Sequence, residues 1–182
     1  MNFVQPIRDK DVVHDIADYL KFKNERNYVM WMIGIYSGLR IGDILRLRVR
    51  DVANKQYISI REMKTNKQRR FEINAPLKSA LAKYCAGRRP DEFLIKSRER
   101  ENRPISRDMA YKILRDAADR FGLDSIGTHS MRKTFGYHFY LQTKDVVTLM
   151  KIFNHSHQGI TLRYIGIEQE AINEAIKKFK IF

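Results

Sequence analysis

Between residues 57 and 73 the apolar pattern of this chain stops repeating at the helical period and alternates instead; from about residue 76 the helical period returns. That interruption limits the fold to a mostly helical body carrying one small antiparallel sheet on one side. Tyr57 to Ile60 and Arg69 to Ile73 carry the β-forming residues, and Lys64-Thr65-Asn66-Lys67 between them reads as a hairpin tip. Ahead of the hairpin, a helix starts at Asp9 or Asp11 and runs to about Lys21, with Val13, Ile16, Ala17 and Leu20 on one face. Asn24 caps a second, Glu25 to Ser37, which Gly38 stops, and a short third spans about Ile41 to Leu47.

After the hairpin, Pro76 opens a helix through Arg88, and Phe93-Leu94-Ile95 suggests a short edge strand. Ser106 caps a helix to Phe121, stopped by Gly122, with Ala110, Ile113, Leu114 and Ala117 inward. Thr128 is expected to cap a helix carrying His129 and Arg132. Further helices are expected at about Asp145 to Phe153, Gly159 to Tyr164 and Glu168 to Lys180. With no repeat, low-complexity tract or Gly/Ser linker, residues 1–182 parse as one domain of the α+β class.

Charge narrows the choice of partner. Thirty-five Lys and Arg against 21 Asp and Glu leave a net charge of +14, which favours a polyanion. Residues 40 to 72 hold ten Lys/Arg and four Asp/Glu, so the excess is concentrated around the hairpin. A tip with Lys64 and Lys67, followed by Arg69 and Arg70, is shaped to reach a phosphate backbone; the bland alternative is a solvated turn. One cysteine, Cys85, excludes a disulfide framework and a cysteine-rich zinc module. No apolar run approaches the ~18 residues of a membrane span, and MNFVQPIRDKD has no signal-peptide core, so a cytoplasmic protein is expected.

Three further segments carry the chemistry. Gly38-Leu39-Arg40-Ile41-Gly42-Asp43 places an arginine just past a glycine break, at the head of a helix. His129-Ser130-Met131-Arg132 sets His and Arg on one helix face. Asn154-His155-Ser156 is followed, nine positions after His155, by Tyr164. His155 and His157 alone would make an incomplete zinc pair. In this order the segments resemble the catalytic domain of the tyrosine recombinases, or phage integrase family, from about residue 9 to the C-terminus. A lone His-x-x-Arg is common by chance; the ordered set is specific.

The resemblance implies a DNA strand-exchange enzyme in which Tyr164 is the nucleophile. It makes Arg40 and Arg132 the phosphate-binding arginines, Lys64 the hairpin lysine, and His129 and His155 the two histidines. The roles suit the side chains. Guanidinium forks hold phosphate oxygens bidentately, lysine can protonate a leaving oxygen, and a phenol of pKa ~10 needs neighbouring cations and a base to attack. On this reading the arginines lower the pKa of Tyr164 and His129 accepts its proton, while His155 donates to a non-bridging oxygen. No cofactor is required on this reading, because one phosphodiester replaces another, and no metal, because the arginines take its electrostatic place. DNA contacts are expected from Lys67, Arg69, Arg70 and Arg107; the cations Lys96, Arg98, Arg100 and Arg103 before the helix at Ser106 fit docking against phosphates or a solvated charge run. Double-stranded DNA is the expected partner, with four protomers on paired sites and a monomer possible in solution.

The chain also departs from the family pattern. Met131 replaces a frequent Leu, Lys133 a frequent His, Asn154 a frequent Gly, and Asp43 a frequent Glu; Asp43 is expected to be a buried partner that orients a catalytic side chain. The helical DNA-clamping domain that usually precedes this one is expected to be absent. The last helix, with Ile172, Ala175, Ile176 and Phe179 on one face, can pack on a neighbouring protomer or cover its own core. Two other functions compete. In a non-catalytic DNA-binding regulator, residues 145 to 165 would form a helix-turn-helix. A type IB topoisomerase would share the chemistry without needing a partner protomer.

Overall fold

The computed structural model describes residues 4–64, 66–99 and 101–181, so Thr65 of the expected hairpin tip and Arg100 of the expected cationic flank lie outside the described residues. Helix α1 spans Lys10–Lys23 and α2 spans Glu25–Ser37, each started by a side chain that accepts a backbone N–H: Asp9 from Asp11 and Asn24 from Arg26. Asn24 also donates its own N–H to Leu20, so one residue closes α1 and opens α2. Gly38 ends α2 at φ 63°, a left-handed conformation that costs glycine little. The chain then enters two four-residue helices, α3 (Ile41–Ile44) and α4 (Val49–Val52).

Strands β1 (Tyr57–Arg61) and β2 (Gln68–Glu72) form the expected antiparallel hairpin, in the register Tyr57↔Glu72 to Arg61↔Gln68. Helix α5 covers Ala75–Cys85, α6 Arg107–Arg120, and α7 Thr128–Thr143. Helices α8 (Val146–Phe153), α9 (Gln158–Tyr164) and α10 (Ile167–Lys178) complete the chain. The architecture is therefore α+β, mostly helical.

Four local expectations are corrected. The third helix closes at Ile44, and α4 follows it, steadied by bonds from Val49 N to Glu92 O and Arg50 N to Pro90 O that no local pattern announces. Helix α5 stops three residues before Arg88, because Ala86 has already left the helical region (φ -57°, ψ 125°) and Gly87 is left-handed. Phe93-Leu94-Ile95 forms only an isolated bridge, Arg48 with Phe93, in place of a strand. Thr128 is the first helical residue and not the cap; Gly127 holds that position and donates its N–H to Ser130 Oγ at 3.2 Å.

Helix α2 is the centre of the main core: Val29, Met30, Trp31 and Ile33 are fully buried, and the helix packs on α1, α5 and α7. A second apolar cluster joins Tyr137 of α7, Leu149 and Phe153 of α8, and Ile165, with Phe135, Phe139, Tyr140 and Tyr164 packed around it. The aromatic stretch on α7 thus serves packing, as its composition suggests. Gly136 makes the second cluster possible. A Cβ there would lie 2.6 Å from the Phe153 ring and 2.8 Å from Ile165.

Residues 4–8 run as a strap over α7: Lys133 donates to Val4 O at 2.7 Å, Ile7 N to Thr134 Oγ1 at 2.9 Å, and His138 Nε2 to Ile7 O at 3.0 Å. Arg8 pairs with Glu170 and so carries the strap on to α10. Helix α10 has no buried residue, and Ile172 and Ile176 stand exposed. Among the described residues no helix is long and apolar enough to cross a membrane.

Candidate active site

The residues singled out in sequence converge where the C-terminal ends of α2 and α8 approach the start of α7. Arg132, 2% exposed, donates from Nη1 to Gly38 O and from Nη2 to Phe153 O at 3.0 Å, and its guanidinium lies 4.3 Å from the centre of the Phe153 ring. The turn at Gly38 and the last residue of α8 therefore fix one guanidinium between them. Desolvation, then the charges of Arg40 and Arg69, draws its pKa down to about 10, with Tyr164 and Glu62 acting in the opposite direction; it stays protonated at neutral pH.

Arg40, the N-cap residue of α3, pairs through Nη1 with Glu62 Oε1 at 3.1 Å. The Glu62 side chain is fully buried, and Arg69 Nε stands 3.9 Å from the same oxygen. Sequence reading missed Glu62. The available signal was an acid in the most basic stretch of the chain, at the root of the hairpin. Asp43, 3% exposed, accepts the backbone N–H of Met63 at 3.0 Å through Oδ1. It thus orients the backbone next to Lys64. Lys64 is exposed, and its charge reaches both His129 and His155.

Tyr164 closes α9, and its ring meets the His155 and Phe153 rings edge-on at 5.3 Å each. Lys133 Nζ is 5.1 Å from the ring centre. Arg132 and Tyr164 pack on the same Phe153 ring, the guanidinium 4.3 Å and the phenol ring 5.3 Å from its centre, which brings the arginine's charge to bear on the phenol. Burial raises the Tyr164 pKa more than Arg132 and Arg40 lower it, which reverses the expected net direction while keeping the expected sign of each arginine. A phenol held protonated in this way needs a base.

His155 follows Asn154, which takes the left-handed conformation (φ 55°) that ends α8. Its Nδ1 is 2.9 Å from Thr161 Oγ1, which leaves Nε2 for a ligand. His129 lies in the first turn of α7. Desolvation comes first in lowering both imidazoles; at His129 the charges of Arg132, Lys133, Arg40 and Lys64 add to it, and at His155 those of Arg132, Arg40 and Lys64. Both are therefore neutral at pH 7, and a neutral His129 can take a proton.

Burial also holds the His138 pKa down. The unfolded imidazoles take protons near pH ~6.5 and the folded ones only below it, so the unfolded state binds more protons as pH falls through that range. The melting temperature should accordingly drop between about pH 7 and about pH 5; a profile that stays flat for these histidines would contradict the assignment.

The expected DNA-contacting residues divide. Lys67 Nζ donates to Asn154 Oδ1 at 2.8 Å, and Arg69 Nη2 donates to Lys151 O at 2.5 Å and Ile152 O at 2.8 Å, so both turn onto the end of α8. Arg70 stacks on the Tyr57 ring at 3.6 Å, and Arg107, the exposed first residue of α6, reaches Met63 Sδ at 3.8 Å. Among the described residues no three His, Cys, Asp or Glu side chains group as a metal ion would require. What the arrangement offers is a phenol beside a neutral imidazole and under the charge of two arginines, with an exposed ammonium whose charge reaches both imidazoles: groups suited to binding a phosphodiester and attacking it.

Comparison with known proteins agrees. The phage integrase family model matches residues 8–170. The chain is 48% identical over 179 residues to a probable integrase/recombinase, YoeC, of Bacillus subtilis, covering 98% of each chain. A tyrosine recombinase of Pseudothermotoga lettingae is 24% identical over 192 residues, which is 97% of this chain and 66% of that one. Among solved structures, the XerA recombinase superposes with a TM-score of 0.75 at 18% identity, over 96% of this chain and 63% of that one. The XerH site-specific recombinase in a post-cleavage complex with its difH substrate gives 0.72 at 16% identity, over 97% and 54%. The chain thus spans nearly all of the Bacillus relative but two thirds or less of the other three.

Proposed function

This chain belongs to the phage integrase family, and from that premise we propose that it is a site-specific DNA recombinase using Tyr164 as nucleophile. The tyrosine oxygen attacks a backbone phosphorus and forms a 3′-phosphotyrosyl bond as the bond to the 5′ oxygen breaks. His129 takes the phenolic proton, and Lys64 supplies one to the departing 5′ oxygen. Arg40 and Arg132 bind the non-bridging oxygens, where charge grows as phosphorus becomes pentavalent, and His155 donates to one of them. A 5′ hydroxyl of a partner strand then reverses the step. The number of phosphodiesters is unchanged, so no energy source is consumed.

The observation that carries this reading is the packing of Tyr164 on the Phe153 ring, whose other neighbour is the Arg132 guanidinium that two backbone carbonyls already hold in place. A preorganised cation at the nucleophile is costly to build and is what phosphoryl transfer uses. Residues 1–182 act as a single catalytic domain in the cytoplasm. Four protomers assemble on paired sites, as the exposed apolar residues of α10 favour.

The test is a nicked suicide duplex bearing the chain's crossover sequence, analysed on a denaturing gel. Wild type should give a covalent protein–DNA band and Tyr164→Phe none, with both shifting the duplex equally in a native gel. An equal band from Tyr164→Phe would remove the assignment of the nucleophile; binding without a band from either protein would favour a regulator.

A further inference from the structure

Glu62, Arg69 and the end of α8 form a bridge that the chemistry above does not use. Arg69 is the middle member: Nε faces the buried Glu62 carboxylate that holds Arg40, and Nη2 bonds the carbonyls of Lys151 and Ile152. The next carbonyl, Phe153 O, is taken by Arg132. Two guanidiniums, one from the hairpin and one from α7, thus share the last three carbonyls of α8, where the helix dipole is negative. His155 stands two residues past Phe153, its N–H bonded to Met150 O at 3.0 Å. Lys67 on Asn154 adds a second tie between hairpin and turn.

We propose that Arg69 is a positioning residue that clamps the Lys64 hairpin and Arg40 to the end of α8, so that the hairpin, both phosphate-binding arginines and His155 are held as one rigid unit. This rests on the recombinase reading for its role in the reaction, though not for the clamp itself. It differs from the simple expectation that Arg69 contacts DNA. A phosphate contact needs only charge, which lysine keeps, whereas the clamp needs a fork that reaches a carboxylate and two carbonyls at once.

Arg69→Lys and Arg69→Met separate the two, in the full chain and below the melting temperature of each variant. Hydrogen exchange should accelerate in both variants at the hairpin amides and at His155 together. Covalent adduct formation at saturating DNA should fall roughly 10- to 100-fold in both, the loss expected when reacting groups are displaced by about 1 Å. The dependence of DNA affinity on salt should keep its slope. A slope shallower by about 0.9 in Arg69→Met, with Arg69→Lys near wild type, would make Arg69 a phosphate contact and overturn the proposal. Unchanged exchange at His155 would overturn it as well. If wild type forms no adduct on DNA that it binds, the recombinase reading fails, while exchange still decides whether the clamp exists.

Discussion

Replacing Arg132 by lysine is expected to reduce covalent adduct formation by about 10²- to 10³-fold, the usual cost of removing one preorganised donor from a site of developing charge. Lysine preserves the charge, so the loss isolates geometry. The guanidinium uses one fork arm on Gly38 O and the other on Phe153 O, and a single ammonium cannot span both carbonyls while facing a phosphate. Stability should fall too, because a buried carbonyl left without a donor costs about 1–3 kcal/mol. The two effects separate when single-turnover cleavage is measured at saturating DNA, well below the variant's melting temperature. Cleavage within about threefold of wild type would show that the charge alone is sufficient and that the double carbonyl seat has no catalytic meaning.

Glu62→Leu should give the largest change in stability. Its carboxylate is fully buried and faces two guanidiniums whose side chains are 21% and 22% exposed. Removing one partner of a buried pair leaves the others desolvated without compensation, at about 3–5 kcal/mol. Because the arginines keep some contact with water, the lower end applies, and for a domain of this size the melting temperature should fall by roughly 6–12 °C. Glu62→Gln, which keeps the shape and can still accept hydrogen bonds, should recover part of the loss. A scanning calorimeter decides the matter: a melting temperature for Glu62→Leu within about 2 °C of wild type would mean that water already screens the pair.

The parts of this fold that were legible in sequence are those written locally. Asn24, Ser106 and Asp145 each accept a backbone N–H in the first turn of the helix they precede, and such caps act over two or three residues. The hairpin was legible because alternation is a local property too. Helix α4 was not, since its support comes from the carbonyls of Pro90 and Glu92, some forty residues away. The site divided in the same way. The order of Arg40, Lys64, His129, Arg132, His155 and Tyr164 exposed the resemblance. The seat of Arg132, the pairing of Glu62 with Arg40, and the turn of Lys67 and Arg69 onto α8 depend on contacts between distant elements. So does the Tyr164 pKa. Charge could be anticipated from neighbours in the family pattern, but burial could not.

The strap over α7 also bears on the order in which the molecule is made. Its bonds join residues 127, 129 and 131 positions apart, and Arg8 meets Glu170 across 162. Contacts so distant along the chain are slow to close, because the intervening entropy must be lost first. On a ribosome residues 4–8 emerge and then wait for α7, more than a hundred residues later. Lys133, which binds the strap at Val4, also stands over the Tyr164 ring. The surroundings of Tyr164 are therefore completed only once α7 and α9 have emerged, and a nascent chain carries Arg40 and the hairpin through that interval without a finished centre to use them.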